Sequence, residues 1–118
     1  MEDWGFVSPH DGPGSRLERL RTRYDSLHML YMVVETFRNG DPIPVYRRFR
    51  DRGRLMPEGI EYRGSWVTDD LRRCFQVMEC TDRSLLDEWM AKWQDITEFE
   101  VIPVMTSADA AMAIAPRL

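Results

Sequence analysis

The sequence predicts one α+β domain of ferredoxin-like type, a βαββαβ antiparallel sheet with two helices on one face. From Met29 onward, strand and helix patterns follow in the order strand, helix, strand, strand, helix, strand, and a short terminal helix comes last. A tight turn separates the second and third strands, whereas each of the two main helices connects two strands. This order is the split βαβ arrangement, which places both helices on the same face of the sheet.

The first half of the domain supplies one strand and one helix. The run Met29–Glu35 is apolar and rich in residues that favour strands. Asp41 is placed to cap the following helix, with Pro42 at its first position, where the missing amide hydrogen costs nothing. We expect this helix to end near Gly53 or Arg54.

The second half supplies three strands and two helices. The predicted strands are Ile60–Thr68, Leu71–Cys80 and Phe99–Met105. Thr81 or Asp82 is expected to cap the longer helix, and Thr106 or Ser107 the short final one. The longer helix carries an apolar stripe at helical spacing that indicates a buried face. The residues of this stripe are Leu85, Leu86, Trp89, Met90 and Trp93.

Composition limits the classes of partner. The chain has 118 residues, of which 43% are hydrophobic and 31% charged, and its formal net charge is -4. An acidic chain has no bulk attraction to nucleic acid or to anionic membranes. No apolar run approaches the roughly 18 residues that a membrane span needs. We therefore expect a cytoplasmic protein with no nucleic-acid partner and no membrane partner.

Both cysteines lie on one predicted strand. Cys74 and Cys80 are six residues apart, hence on the same face and roughly 20 Å from each other. They cannot form a disulfide without disrupting that strand. Two free thiols are typical of a reducing compartment.

Residues 1–28 are predicted to be an N-terminal extension that precedes the domain at 29–118. Its first part is rich in residues that break regular structure, namely Pro9, Gly12, Pro13 and Gly14. Its second part combines a capping-box pattern, Ser15 with Glu18, and leucines at helical spacing. Two alternatives remain open, a poorly ordered segment or a short amphipathic helix.

Several runs of the domain resemble an uncharacterised bacterial family, domain-of-unknown-function family 3303. The runs that carry the resemblance are Met29–Glu35, Asn39–Asp41, Pro44–Arg50, Arg52–Arg54, Ser65–Val67, Arg73–Glu79, Leu86–Trp89 and Phe99–Val101. The resemblance implies a dimeric α+β barrel, in which two ferredoxin-like protomers form a homodimer by packing sheet against sheet. It implies no activity, because none is established for the family.

The domain lacks the residues of most standard active sites. The two histidines of the chain, His10 and His28, both precede the domain. The domain therefore cannot build a Ser-His-Asp or Cys-His arrangement. A metal site would need imidazoles or clustered thiolates. No glycine-rich loop with phosphate-binding spacing follows a strand. We therefore expect no cofactor and no metal.

Strand alternation suggests which polar residues share the face that the helices leave open. If the more apolar set of each strand faces the helices, the open face carries the residues of a small-ligand cleft. Those residues are Tyr31, Glu35, Arg63, Ser65, Gln76 and Glu100. Glu35 and Glu100 are the candidate catalytic bases, and Tyr31, Arg63, Ser65 and Gln76 are candidate ligand-binding residues. In the simpler interpretation, the two carboxylates only pair with arginines across strands or face water.

Two functions fit these observations. In the first, a homodimeric barrel binds a small, largely apolar molecule in its cleft, with or without cofactor-independent enzymatic activity. In the second, a non-catalytic interaction or regulatory protein uses the arginine-rich helix at 47–54 to meet a partner, although such a charge run usually only solvates a helix. An open pocket of roughly 300 Å³ or more, with a carboxylate in its wall, would favour the first. We expect Trp66, Trp89 and Trp93 to lie in the core.

Overall fold

The computed structural model describes residues 29–118 and confirms the ferredoxin-like α+β fold. The strands are β1 Met29–Phe37, β2 Glu61–Val67, β3 Arg73–Cys80 and β4 Thr97–Val104. The helices are α1 Ile43–Arg52, α2 Ser84–Met90 and α3 Ser107–Ile114, with short 3-10 turns at Arg38–Gly40 and Ala115–Arg117. The strands form one antiparallel sheet in the order β2-β3-β1-β4. The predicted N-terminal extension lies outside the described residues.

Local chemistry at the chain turns explains the helix bounds. Helix α1 begins at Ile43, whose amide donates to the Asp41 carboxylate at 3.0 Å. It ends at Gly53, which has φ 72 and whose amide still donates to the Phe49 carbonyl. Thr106 caps α3 as expected, because its hydroxyl accepts from the Asp109 amide at 3.0 Å. The predicted helices are therefore present, although α2 ends at Met90, three residues before Trp93 of the predicted stripe.

The core lies between the sheet and helices α1 and α2. Leu86, Trp89 and Trp93 from the predicted apolar stripe are buried, which confirms their place in the core. Val45 of α1 is buried beside them. From the sheet, the core receives Tyr31, Val33, Phe37, Cys74, Met78 and Cys80.

The two central strands present the opposite faces from those predicted. Along β1, Tyr31, Val33, Glu35 and Phe37 are the residues buried against the helices. Along β3, the helices cover Cys74, Gln76, Met78 and Cys80. The predicted open-face position of Tyr31, Glu35 and Gln76 is therefore wrong. Both alternating sets of these strands are largely apolar, so the alternation itself did not select a face.

A bulge in β2 changes the alternation there. Tyr62 pairs with Met78 and Ser65 pairs with Gln76, and the register shifts between Tyr62 and Gly64. Tyr62 and Ser65, which both point towards the helices, are thus three positions apart instead of two, because the bulge inserts one extra residue. Ser65 therefore faces the helices, contrary to the prediction.

The open face of the sheet is apolar at its centre. Trp66 lies there with 59% of its surface exposed, so its predicted core position is wrong. Trp66 pairs with Phe75, which pairs with Val34, and the next row of the same face contains Val77, Met32 and Ile102. Helix α3 also has no buried residue, and Met112 is 67% exposed. Residues 29–118 by themselves thus leave two apolar surfaces exposed.

Candidate functional site

A cavity of about 100 Å³ lies between the sheet and helices α1 and α2. Its wall is mostly aromatic and aliphatic, with a few polar groups contributed by the strands. The lining residues are Glu35, Phe37, Val45, Tyr46, Phe49, Arg54, Ser65, Val67, Cys74, Gln76, Trp89 and Trp93. The cavity is smaller than the roughly 300 Å³ expected of a cleft for a drug-sized ligand.

Glu35 is the buried carboxyl group of this wall. It lies on the central strand β1, between Cys74 on β3 and Phe99 on β4, and is only 5% exposed. Burial removes the carboxylate from water and raises its pKa from 4.5 to about 7, and the positive charge of Arg54 opposes part of this increase. Both protonation states are therefore populated near neutral pH.

Gln76 is the direct hydrogen-bond partner of Glu35. Its side chain projects from β3 on the helix side, and its amide nitrogen Nε2 donates to Glu35 Oε2. The side chain is 7% exposed, and its oxygen Oε1 is buried with no partner among the described residues. Since buried polar atoms are nearly always paired, this free acceptor is unusual for a core position.

Arg54 supplies positive charge at the cavity. Its guanidinium lies 3.9 Å from the ring centroid of Tyr62 and 5.0 Å from that of Phe49. Its backbone carbonyl accepts from the indole nitrogens of Trp89 and Trp93, both at 3.0 Å. The backbone of Arg54 is thus fixed by α2 and the turn that follows it. Its side chain packs against the rings of Phe49 and Tyr62 at the cavity.

Two other ionisable groups of the wall are electrically neutral at physiological pH. Burial raises the pKa of the Cys74 thiol to about 12, and the nearby Glu35 charge acts in the same direction. The pKa of the Tyr46 hydroxyl is also raised, first by burial and then by electrostatic interaction with Cys74 and Glu35. A thiol with this pKa is a poor nucleophile, so the proton chemistry of the cavity depends on Glu35.

The structure brings together three of the six predicted site residues. Glu35, Ser65 and Gln76 line the cavity, but on the helix side of the sheet. Tyr31 is on the same side and is buried near Arg83, whose guanidinium carbon lies 5.9 Å from the ring centroid. It does not line the cavity.

The other two predicted residues lie on the open face of the sheet. Glu100 pairs with Val34 and is exposed. Arg63 is at the bulge, with ion pairs to Glu61 at 2.6 Å and Glu79 at 3.4 Å. They cannot contribute to a site that contains Glu35.

Sequence reasoning missed Arg54 as a site residue because the charge run at 47–54 was interpreted as one unit. The arginines of this run in fact have different partners and surroundings. Arg48 makes a bidentate ion pair with Asp95, at 2.8 and 2.7 Å, whereas Arg50 pairs with its neighbour Asp51. Of the arginines in the run, only Arg54 lines the cavity. The glycine at position 53 was the available signal, since the chain turns there and redirects the next side chain.

A second, more open groove of about 390 Å³ lies between α2 and β4. Both of its arginines have acidic partners, Arg38 with Glu98 at 3.1 Å and Arg83 with Asp87 at 2.8 Å. Thr97 also lines it, and its hydroxyl is buried without a partner in the described part of the chain. The groove offers charges that already neutralise one another, so we regard the smaller cavity as the candidate site.

The described residues contain neither a metal-binding cluster nor a membrane-spanning helix. Residues 29–118 contain no group of three or more His, Cys, Asp or Glu side chains arranged to hold a metal ion. No helix within the same range is both long and apolar enough to cross a membrane.

The fold and the cavity define a ferredoxin-like α+β domain with a buried carboxyl group between its sheet and its helices. Comparison with protein families identifies the particular group. The profile of the family described as "Domain of unknown function (DUF3303)" matches residues 29–118. The chain therefore belongs to this family, as the resemblance of the sequence indicated. No curated protein and no solved structure matches the chain significantly.

Proposed function

We propose that this domain binds a small, largely apolar molecule in the cavity and that Glu35 transfers a proton to or from it. The observation that carries the proposal is the Glu35 carboxyl group, with a pKa of about 7, in the wall of an otherwise apolar cavity. A general acid or base is most effective when its pKa lies close to the working pH. A carboxyl group retained in such a place is costly for stability, which favours a chemical role over a structural one.

The volume of the cavity limits the size of the ligand. An apolar cavity of about 150 Å³ is enough for benzene, and the cavity here is about 100 Å³ with a mouth formed by the partly exposed Tyr46 and Phe49. Since the cavity is smaller than that, it encloses at most part of one ring, and the rest of the proposed ligand lies at the mouth. Such a ligand is smaller than one that a cleft of roughly 300 Å³ would admit.

A test of ligand binding can use the tryptophan indole signals as built-in reporters. Trp89 and Trp93 line the cavity, whereas Trp66 lies on the opposite face of the sheet. In ¹⁵N-¹H NMR titrations with one-ring fragments, we expect the indole signals of Trp89 and Trp93 to shift while that of Trp66 stays in place. Fragments that move only the Trp66 signal, or no signal, would contradict binding in this cavity.

The role of Glu35 requires a separate measurement. We expect Glu35→Gln to lower the affinity for a fragment that shifts the cavity signals and carries an exchangeable proton. Glu100→Gln is the matched control, because Glu100 lies on the open face, and it should leave the affinity unchanged. Equal effects of both substitutions would exclude a specific role for Glu35.

We also propose that the domain is a homodimer in which a second copy covers the open face of the sheet. Support comes from the exposed apolar residues at its centre, Trp66 at 59% and Ile102 at 39%, and from the apolar side chains that α3 leaves exposed. Burying such surfaces is the main driving force for association. Native mass spectrometry should give a dimer mass for the wild type and a monomer mass for Trp66→Glu. A wild-type monomer would refute the dimer and leave the cavity proposal intact.

A further inference from the structure

We infer that the ligand of the cavity is an uncharged, one-ring-sized molecule that carries a weakly acidic hydroxyl group, directed at Gln76 and Glu35. This inference rests on the proposed function, since it specifies the chemical class of the molecule that the same cavity binds. It follows from an inventory of hydrogen-bond donors and acceptors in the cavity wall.

Most neutral hydrogen-bond donors of the wall, apart from the Tyr46 hydroxyl, are already occupied. The Gln76 amide nitrogen donates to Glu35. The indole nitrogens of Trp89 and Trp93 both donate to the carbonyl of Arg54. The Ser65 hydroxyl is paired with the Tyr62 hydroxyl across the β2 bulge. Few neutral donors therefore remain that could donate a hydrogen bond to an acceptor atom of the ligand.

The acceptors, in contrast, are available. Gln76 Oε1 is buried and has no partner within residues 29–118, and an unpaired acceptor in that position costs folding free energy that a ligand donor would recover. Glu35 adds carboxylate oxygens beside it, of which Oε2 already accepts from Gln76. An acceptor-rich wall selects a ligand that presents an O–H or N–H group, by the same reasoning that makes buried polar sites discriminating.

Arg54 distinguishes an acidic hydroxyl from a basic amine. Its guanidinium forms no ion pair with any carboxylate in the described part of the chain, and it interacts electrostatically with Glu35. Such a cation opposes the binding of an ammonium group and stabilises negative charge on a ligand. The proposed group is therefore a hydroxyl that can lose its proton.

The proton transfer balances without any further reactant. The ligand O–H bond breaks, the proton forms a new O–H bond on the Glu35 carboxylate, and the electron pair remains on the ligand oxygen. The negative charge thus moves from Glu35 to the ligand, where Arg54 still stabilises it. A carboxylate ligand does not suit this arrangement, because it arrives charged, lacks a donor for Gln76 and repels Glu35.

Three probes of equal ring size test the inference, namely phenol, toluene and benzoate. They are titrated into the ¹⁵N-labelled full chain at about pH 8, where Glu35 is ionised, and binding is followed by the Trp89 and Trp93 indole signals. We expect phenol to bind about tenfold more tightly than toluene, as one added hydrogen bond allows, and more tightly than benzoate. Gln76→Met should remove the preference for phenol over toluene. Gln94→Met, on an exposed residue, is the matched control and should keep it.

The outcomes separate this inference from the proposed function. Equal affinity for phenol and toluene would leave the cavity as a binding site and overturn the hydroxyl assignment. Tightest binding of benzoate would overturn it as well, and would give Arg54 the dominant role. Failure of all three probes to shift either indole signal would count against both proposals. The comparison of phenol, toluene and benzoate in the wild type tests the inference even if Gln76→Met does not fold.

Discussion

Replacing Glu35 with glutamine should make the protein more stable at neutral and alkaline pH, but not in acid. The substitution keeps the size and shape of the side chain and removes only its ionisation. In the folded wild type, the carboxyl group is neutral below its pKa of about 7, whereas a carboxyl group exposed by unfolding has the usual pKa of 4.5. Between these values the unfolded state releases a proton that the folded state retains, so wild-type stability falls as the pH rises.

The size of this effect follows from the two pKa values. The interval from 4.5 to about 7 corresponds to roughly 3 kcal/mol, because one pKa unit is about 1.4 kcal/mol. At about pH 5 the variant and the wild type should therefore have similar free energies of unfolding. At about pH 8 the variant should be more stable by up to that amount, which is on the order of 10 °C in Tm for a domain of this size.

Urea denaturation between about pH 5 and pH 8 measures the free energy of unfolding directly. Glu100→Gln is the control, since an exposed substitution should change stability by no more than about 0.5 kcal/mol and without a trend in pH. A difference between Glu35→Gln and the wild type that stays constant over this pH range would refute the reasoning. So would a wild type that is the more stable protein at pH 8.

Three further predictions concern charges and thiols near the site. Arg54→Met removes the positive charge that lowers the pKa of Glu35, so ¹³C NMR titration of the Glu35 carboxyl carbon should give a higher pKa. Cys74 should react with iodoacetamide only after denaturation, because its thiol is buried and has a pKa of about 12; alkylation is followed by mass spectrometry. Arg48→Met breaks the bidentate pair with Asp95 and should cost about 1 kcal/mol in urea denaturation.

Controls for these predictions are present in the same chain. Arg50→Met should change stability little, since Arg50 is 71% exposed and, within residues 29–118, pairs only with the adjacent Asp51. An equal loss for Arg48→Met and Arg50→Met would show that the bidentate geometry is unimportant. Rapid alkylation of Cys74 in the native protein, or an unchanged Glu35 pKa in Arg54→Met, would contradict the described cavity.

The element order could be predicted from the sequence because it depends on local signals. Strand and helix periodicities differ, and the caps Asp41 and Thr106 act within a few residues of their own position. The ends were less certain. Strand β3 begins at Arg73 rather than Leu71, because Leu71 adopts φ 60 within the turn, and a leucine gives no sign of that conformation.

The edge strand β4 illustrates when alternation does assign a face. Glu98 and Glu100 alternate with Phe99 and Val101, so polar and apolar sets are distinct, and the prediction that Glu100 faces away from the helices is confirmed. In β1 the two sets are Met32 with Val34 and Tyr31 with Val33, which are equally apolar. The same rule therefore placed Glu35 on the wrong face.

The sequence alone predicted the fold class, the apolar stripe with Trp89 and Trp93, and Glu35 and Gln76 as two of the six candidate site residues. Only the tertiary structure decided that this pair lies under the helices, with Arg54 brought beside it. The reason is physical. Periodicity is a property of one segment, whereas the face that a two-sided apolar sheet buries is set by where the helices pack. The contact between Arg54 and the cavity likewise depends on Trp89 of α2 and Trp93 of the turn after it, whose indoles both donate to the Arg54 carbonyl.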